Sequence, residues 1–142
     1  MATDIQGWES WIVEQLQPLV SQGYRVEPYL DQQGRPHGRG QVIIAYRRSR
    51  FSAPPGSNVR PTTLTQSQQI EFEIVLQLCD LRSHQGAYPM LNQIRDLLSG
   101  SAPTPLDRTI FQTEEENLGQ SEGIWSFSMI FQTLSHYQKR GR

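Results

Sequence analysis

The sequence predicts an α+β fold: a mainly antiparallel sheet of four to five strands with two helices packed on one face. Three observations carry this. Ile70, Phe72, Ile74, Leu76 and Leu78 are apolar at every second position, with Glu71, Glu73 and Gln77 between them. That is the period of a strand burying one face. Ala87, Met90, Leu91, Ile94, Leu97 and Leu98 then recur at helical spacing, with Gly100 where a helix stop is expected. A short polar turn, Asp80 to Gly86, joins the two, so the strand feeds a helix that can pack back across its own sheet. Val75 and Cys79 interrupt the polar side of the strand, which implies that its far end is also covered.

The remaining elements fall around this β-α unit. Ile5, Trp8, Ile12, Leu16 and Leu19 predict a first helix from Asp4 to about Leu16, capped by Thr3 or Asp4 and ended near Gln17 by Pro18. Trp11 lies off that stripe, as a rim residue of the core. Tyr24–Leu30 alternates weakly and reads as a short strand, placed at an edge by Pro28. Asp31–Gly40 is turn chemistry, and Gln41–Tyr46 a short apolar strand, so the two runs suggest a hairpin with a long tip. Arg47–Gln66 reads as a long Pro-rich loop made basic by Arg47, Arg48, Arg50 and Arg60. Loops of that length are functional or disordered. Ser83 is placed to cap the second helix. Ser101–Leu106 is a connector, Arg108–Leu118 a strand with an acidic end at Glu114, Glu115 and Glu116, and Gly119–Gly123 a turn. Ile124–Leu134 closes the sheet, with Trp125, Phe127, Met129 and Phe131 on one face, and residues 135–142 form a basic tail expected to fray.

Composition narrows the function classes. The 142 residues are expected to form a single domain, 1–142, large enough to bury a core. Mean hydropathy is −0.56, and no apolar run approaches the roughly 20 residues of a spanning helix. With no basic-then-apolar start, the chain is expected to be soluble and made inside the cell. A net charge of −1, from 13 basic and 14 acidic residues, supplies no global field for gripping nucleic acid. The single cysteine excludes an internal disulfide and a cysteine-cluster zinc site, and Cys79 is expected as a small core residue.

No constellation points to catalysis, a cofactor or a metal. His37, His84 and His136 lack partners at ligand spacing, and there is no nucleophile elbow or phosphate-binding loop. Asp80, Arg82 and His84 cluster in the central turn, where the simpler reading is that they cap the helix and pair locally. What remains is an assembly protein: a long sheet, Arg- and Pro-rich loops, and Trp and Tyr residues available for contacts.

The central unit resembles a known family. A strand running into the turn Asp80-Leu81-Arg82-Ser83, then Gly86-Ala87-Tyr88 and an amphipathic helix ending in Gly100, is similar to the small tail terminator proteins of tailed bacteriophages. These are the Mu-like gp37 type, also found in prophages and related contractile particles. The opening helix and the closing strand Ile124–Phe131 fit the same element order. The resemblance implies a structural virion protein that is not an enzyme. It would form a ring, usually a hexamer, capping the head-proximal end of the tail tube, stopping polymerisation and docking the head–tail connector of the neck. It implies tube protein, sheath protein in a contractile tail, and connector proteins as partners, with DNA passing through the lumen unread and no membrane involved. Asp80, Arg82, Ser83, Gly86 and Tyr88 would then be scaffold. Arg47, Arg48, Arg50 and Arg60, with Glu114, Glu115 and Glu116, would supply opposite charges at subunit or partner interfaces. Two alternatives stay open: another neck ring component, and a small nucleic-acid-binding domain using the arginine loop.

Overall fold

The computed structural model describes residues 3–29, 38–52 and 63–140. The chain runs through helix α1 (Ile5–Gln15), a 3-10 turn (Gln17–Gln22), strands β1 (Tyr24–Pro28), β2 (Gly40–Phe51) and β3 (Thr63–Cys79). A second 3-10 turn (His84–Ala87), helix α2 (Tyr88–Leu98) and strands β4 (Phe111–Ser121) and β5 (Ile124–Arg140) follow. One five-stranded sheet results, in the order β1-β2-β3-β5-β4. The β2–β3, β3–β5 and β4–β5 pairs are antiparallel. The expected α+β class, mainly antiparallel with two helices, is the one observed.

Both helices lie on the same side of the sheet. Across β3 and β5, Phe72 faces Phe131, Ile74 faces Met129 and Leu76 faces Phe127. These side chains join Trp8, Ile12, Leu16 and Leu19 of the N-terminal helical segment and Met90, Leu91, Ile94 and Leu98 of α2 in one buried cluster. Each such side chain taken out of water stabilises the fold by about 2 kcal/mol before conformational entropy is set against it. Trp11 packs against the rim of the cluster, edge-on to Trp8 at 5.4 Å. The opposite face, which no described helix covers, still buries Gln41, Ile43, Glu71, Ser128 and Ile130.

Local chemistry explains the helix ends. Asp4 caps α1, its Oδ1 accepting from the Gly7 N–H at 2.8 Å. Thr3 serves elsewhere: its N–H and hydroxyl donate to Asp107 at 2.8 and 2.6 Å, and Thr104 donates at 2.8 Å. Burial pushes the Asp107 pKa up, but these hydrogen bonds outweigh it and hold the carboxyl below its ordinary 3.8. Thr3, just before α1, is thereby fastened to the α2–β4 connector. Pro18 ends α1 as expected, and the chain tightens into the 3-10 turn that Gly23 closes at φ 97°.

Several expectations need correction. β1 and β2 do not form a hairpin. They run parallel, Tyr24 beside Gly40 and Val26 beside Val42. The Tyr29–Arg39 connection is long enough to return the chain to the start of β1, which a tight hairpin turn does not do. β2 and β3 are longer than their apolar runs, because Arg47–Phe51 and Thr63–Gln66, expected as loop, continue the β2 and β3 strands. Ser135–Arg140, expected as a frayed tail, pairs with Thr63–Gln68. In both cases backbone pairing extends past the point where side-chain alternation stops. Ser83 sits at the start of the 3-10 turn, but its side chain makes no capping bond, and α2 begins instead at Tyr88-Pro89. Cys79 is half-buried on the helix-free face rather than in the core.

Gly40 is where β1, β2 and β3 meet, and it requires glycine. Its φ is 149°, and a Cβ there would lie 2.1 Å from the Gln77 carbonyl oxygen. Beside it Arg39 donates to the Gln22 carbonyl at 3.2 Å and stacks 5.3 Å from the Tyr24 ring centroid. Gly40→Ala is expected to destabilise the protein by about 3 kcal/mol in chemical denaturation. A loss near zero would show that the corner rearranges freely.

Candidate functional site

The sheet leaves two flanks open among the described residues. β1 covers β2 only over Gly40–Ile44. Past that point Arg47–Phe51 has β3 on one side and no described strand on the other. At the far end β4 pairs with β5 through one edge, and its other edge borders no described strand. The two flanks carry opposite charge.

On the β2 flank the register slips between Tyr46 and Arg48, a bulge that turns both arginines toward one carboxylate. Arg47 Nη1 donates to Glu71 Oε2 at 3.2 Å and Arg48 Nε at 2.7 Å. Glu71 retains only 8% of its side-chain exposure, so losing Arg48 would leave a buried charge poorly paired. Arg50 is exposed and lines a shallow depression with Phe51, Ser52, Ser67, Gln69 and Leu134. Arg60 lies outside the described residues, as do His37 and the centre of the long connection between β2 and β3.

On the opposite flank Glu114, Glu115 and Glu116 occupy the middle of β4, not the solvated strand end that the sequence suggests. They lie between two register shifts, Gln112/Glu114 and Asn117/Gly119. Glu114 and Glu116 pair in register with Ile130 and Ser128 of the helix-free face, and Glu115 with Met129 of the helix-covered face. Glu115 is accordingly held by α2, with Arg95 Nη2 donating to its Oε1 at 2.5 Å. Arg95 Nε also donates to Gln112 Oε1 at 2.8 Å and its Nη1 to Asn92 Oδ1 at 2.7 Å. Arg95 is thus the clamp between α2 and the edge strand. Sequence reasoning passed over it because a single arginine on the polar face of a helix carries no pattern.

The central turn divides unevenly. Asp80, Arg82, Ser83, Gly86 and Tyr88 are all exposed, and Asp80 takes a left-handed φ of 59°. Among the described residues Asp80 and Arg82 make no ion pair, which corrects the expected local pairing. The turn is held instead by Ala87, fully buried, by Leu81, which folds over Gly86, and by His84, whose ring lies 5.9 Å from both Tyr88 and Trp125. Among the described residues no group of three His, Cys, Asp or Glu side chains is placed to hold a metal ion. No described helix is long and apolar enough to cross a membrane.

The model of the Gp37 protein family matches residues 13–138. The chain belongs to the Gp37 protein family. The match spans β1 to β5 and both flanks, so the family resemblance read from the central turn extends to nearly the whole chain. No curated protein sequence matches it. Among solved structures, this Gp37-family chain is similar to a chain of the virion of the native gene transfer agent particle. The TM-score is 0.53 at 11% identity, over 89% of this chain and 92% of that one. At that identity the likeness is one of fold.

The clamp gives the flank a measurable stiffness. Arg95→Ala is expected to cost about 1 kcal/mol, since the pair is about one-third exposed and solvent screens it. It should also raise amide exchange in β4 while leaving β3 protected. Unchanged β4 exchange would show that pairing with β5 alone holds the edge.

Proposed function

We propose that this Gp37-family chain is a structural virion protein, not an enzyme. In this reading it is a tail terminator whose copies form a ring, expected as a hexamer, at the head-proximal end of the tail tube. The ring ends polymerisation of tube and sheath and offers the docking face to the neck connector. It is made in the host cytoplasm and ends in the virion, with DNA passing through the lumen unread. The observation that carries the reading is the family match over residues 13–138. The fold likeness to a chain of a virion particle supports it. The whole chain, 1–142, acts as one tail-terminator-like domain, with the exposed turn around Asp80, Arg82, Ser83, Gly86 and Tyr88 as scaffold. Arg47, Arg48, Arg50 and Arg60 on one flank and Glu114, Glu115 and Glu116 on the other are the interface residues.

The nucleic-acid reading is weaker on a specific observation: Arg47 and Arg48, the centre of its basic patch, are engaged by Glu71. A different neck ring component, of similar size and without chemistry, is the second reading.

Tube assembly separates these. Added to polymerising cognate tail-tube protein, the chain is expected to bind tube ends and shorten the length distribution in negative-stain micrographs as its molar ratio rises. Binding to portal protein without any effect on tube length would favour the neck component. DNA binding that weakens steeply with salt, with no tube binding, would favour the nucleic-acid domain.

A further inference from the structure

The geometry points to head-to-tail closure of the sheet between copies, the acidic edge of β4 in one subunit pairing antiparallel with the basic edge of β2 in the next. This rests on the ring reading above and specifies how the ring closes.

Four observations carry it. First, each flank offers a short regular segment whose charged residues carry a single sign. On β4 it is Glu114–Asn117, bounded by the two register shifts, and on β2 it is Arg48–Phe51, beyond the single shift at Tyr46/Arg48. Both are four residues long, and bulges confine pairing to those segments. Second, the side chains fall on matching faces. Arg48 and Arg50 lie in register with Glu71 and Gln69, and Glu114 and Glu116 with Ile130 and Ser128, all on the helix-free face. A sheet continued across the interface therefore sets two arginines at i and i+2 against two glutamates at i and i+2, Arg50 opposite Glu114 and Arg48 opposite Glu116. Third, direction agrees. In the order β1-β2-β3-β5-β4, with β2 antiparallel to β3, β3 to β5 and β5 to β4, the β2 and β4 strands run oppositely. A second copy continuing the sheet thus presents its β2 antiparallel to the first copy's β4. Fourth, charge forbids the alternatives. Two β4 edges would set glutamate on glutamate, and two β2 edges arginine on arginine, so charge disfavours both isologous dimers and favours the heterologous contact.

In this register Gly119–Ser121 comes level with Ala45–Ile43, which β1 already flanks as far as Ile44, so the two edges pair only as far as the bulges at Tyr46/Arg48 and Asn117/Gly119 and diverge beyond them. Successive copies are then staggered along the strands, as strands in a closed barrel are.

Charge exchange tests this without touching Arg48, which Glu71 requires. Glu114 and Arg50 are exposed, and neither side chain has a described partner. Glu114→Lys and Arg50→Glu are each expected to lower assembly on tube ends about 10-fold at low salt with unchanged melting temperature. The double exchange on one chain should restore it, because every interface then again holds one of each charge. Either single variant assembling like wild type, or a double exchange that restores nothing, overturns edge pairing while wild-type capping of tubes leaves the terminator reading intact. A wild-type protein that neither assembles nor shortens tubes removes both.

Discussion

The pairing of Thr63–Cys79 with Ile124–Arg140 is the constraint on which the rest of this structure depends. Both strands are 17 residues long and pair from end to end without a register shift. Period-2 alternation from Ile70 to Leu78 fixes the register, since a slip of one residue would turn Phe72, Ile74 and Leu76 away from the helices together. Every other element is placed by this ladder. β2 and β4 add to its two sides, α2 returns across its inner face directly from the end of β3, and α1 fills the remaining groove.

The same ladder determines what is left open. Among the described residues β2 reaches beyond the stretch that β1 covers and β4 has no strand on its outer side, so the flanks are incomplete over Arg48–Phe51 and along β4. Open edges invite uncontrolled pairing, and charge and bulges are the usual means of restricting it. Here the bulges shorten both segments and the charges take opposite signs on the two sides. The restriction thus excludes self-pairing of like edges and admits the contact between unlike ones. Arg95 contributes by holding Glu115 on the inner face, which leaves Glu114 and Glu116 as the acidic pair on the outer face.

The sequence disclosed elements whose side chains repeat and concealed those set by backbone pairing or by contacts distant in the chain. The core of β3, the stripe of α2 and the aromatic face of β5 were legible because burial imposes period on them. The parallel pairing of β1 with β2 was not, because glycine and proline in the connection mark a turn without giving its handedness or its endpoint. The ends of β2, β3 and β5 were hidden for a related reason: residues such as Ser67, Gln68 and Ser135 alternate nothing yet still exchange backbone hydrogen bonds. The charged residues at the flanks were picked out by composition, but their roles were not. Glu71, read only as a polar spacer in a strand, turned out to engage two of the arginines, and neither it nor Arg95 carries a local signature. The family-like turn was recognisable by its order of residues, yet its anchors are Leu81, His84 and Ala87 rather than Asp80, Arg82 and Ser83.

Amide hydrogen exchange on the chain before and after assembly tests the central claim, that two complementary sheet edges close the ring. The expected result is new protection confined to Arg48–Phe51 and Glu114–Asn117, with the β3–β5 ladder protected equally in both states. Protection that appears instead over the turn from Asp80 to Tyr88 or along the helices, with both edges exchanging as fast as before, would contradict it.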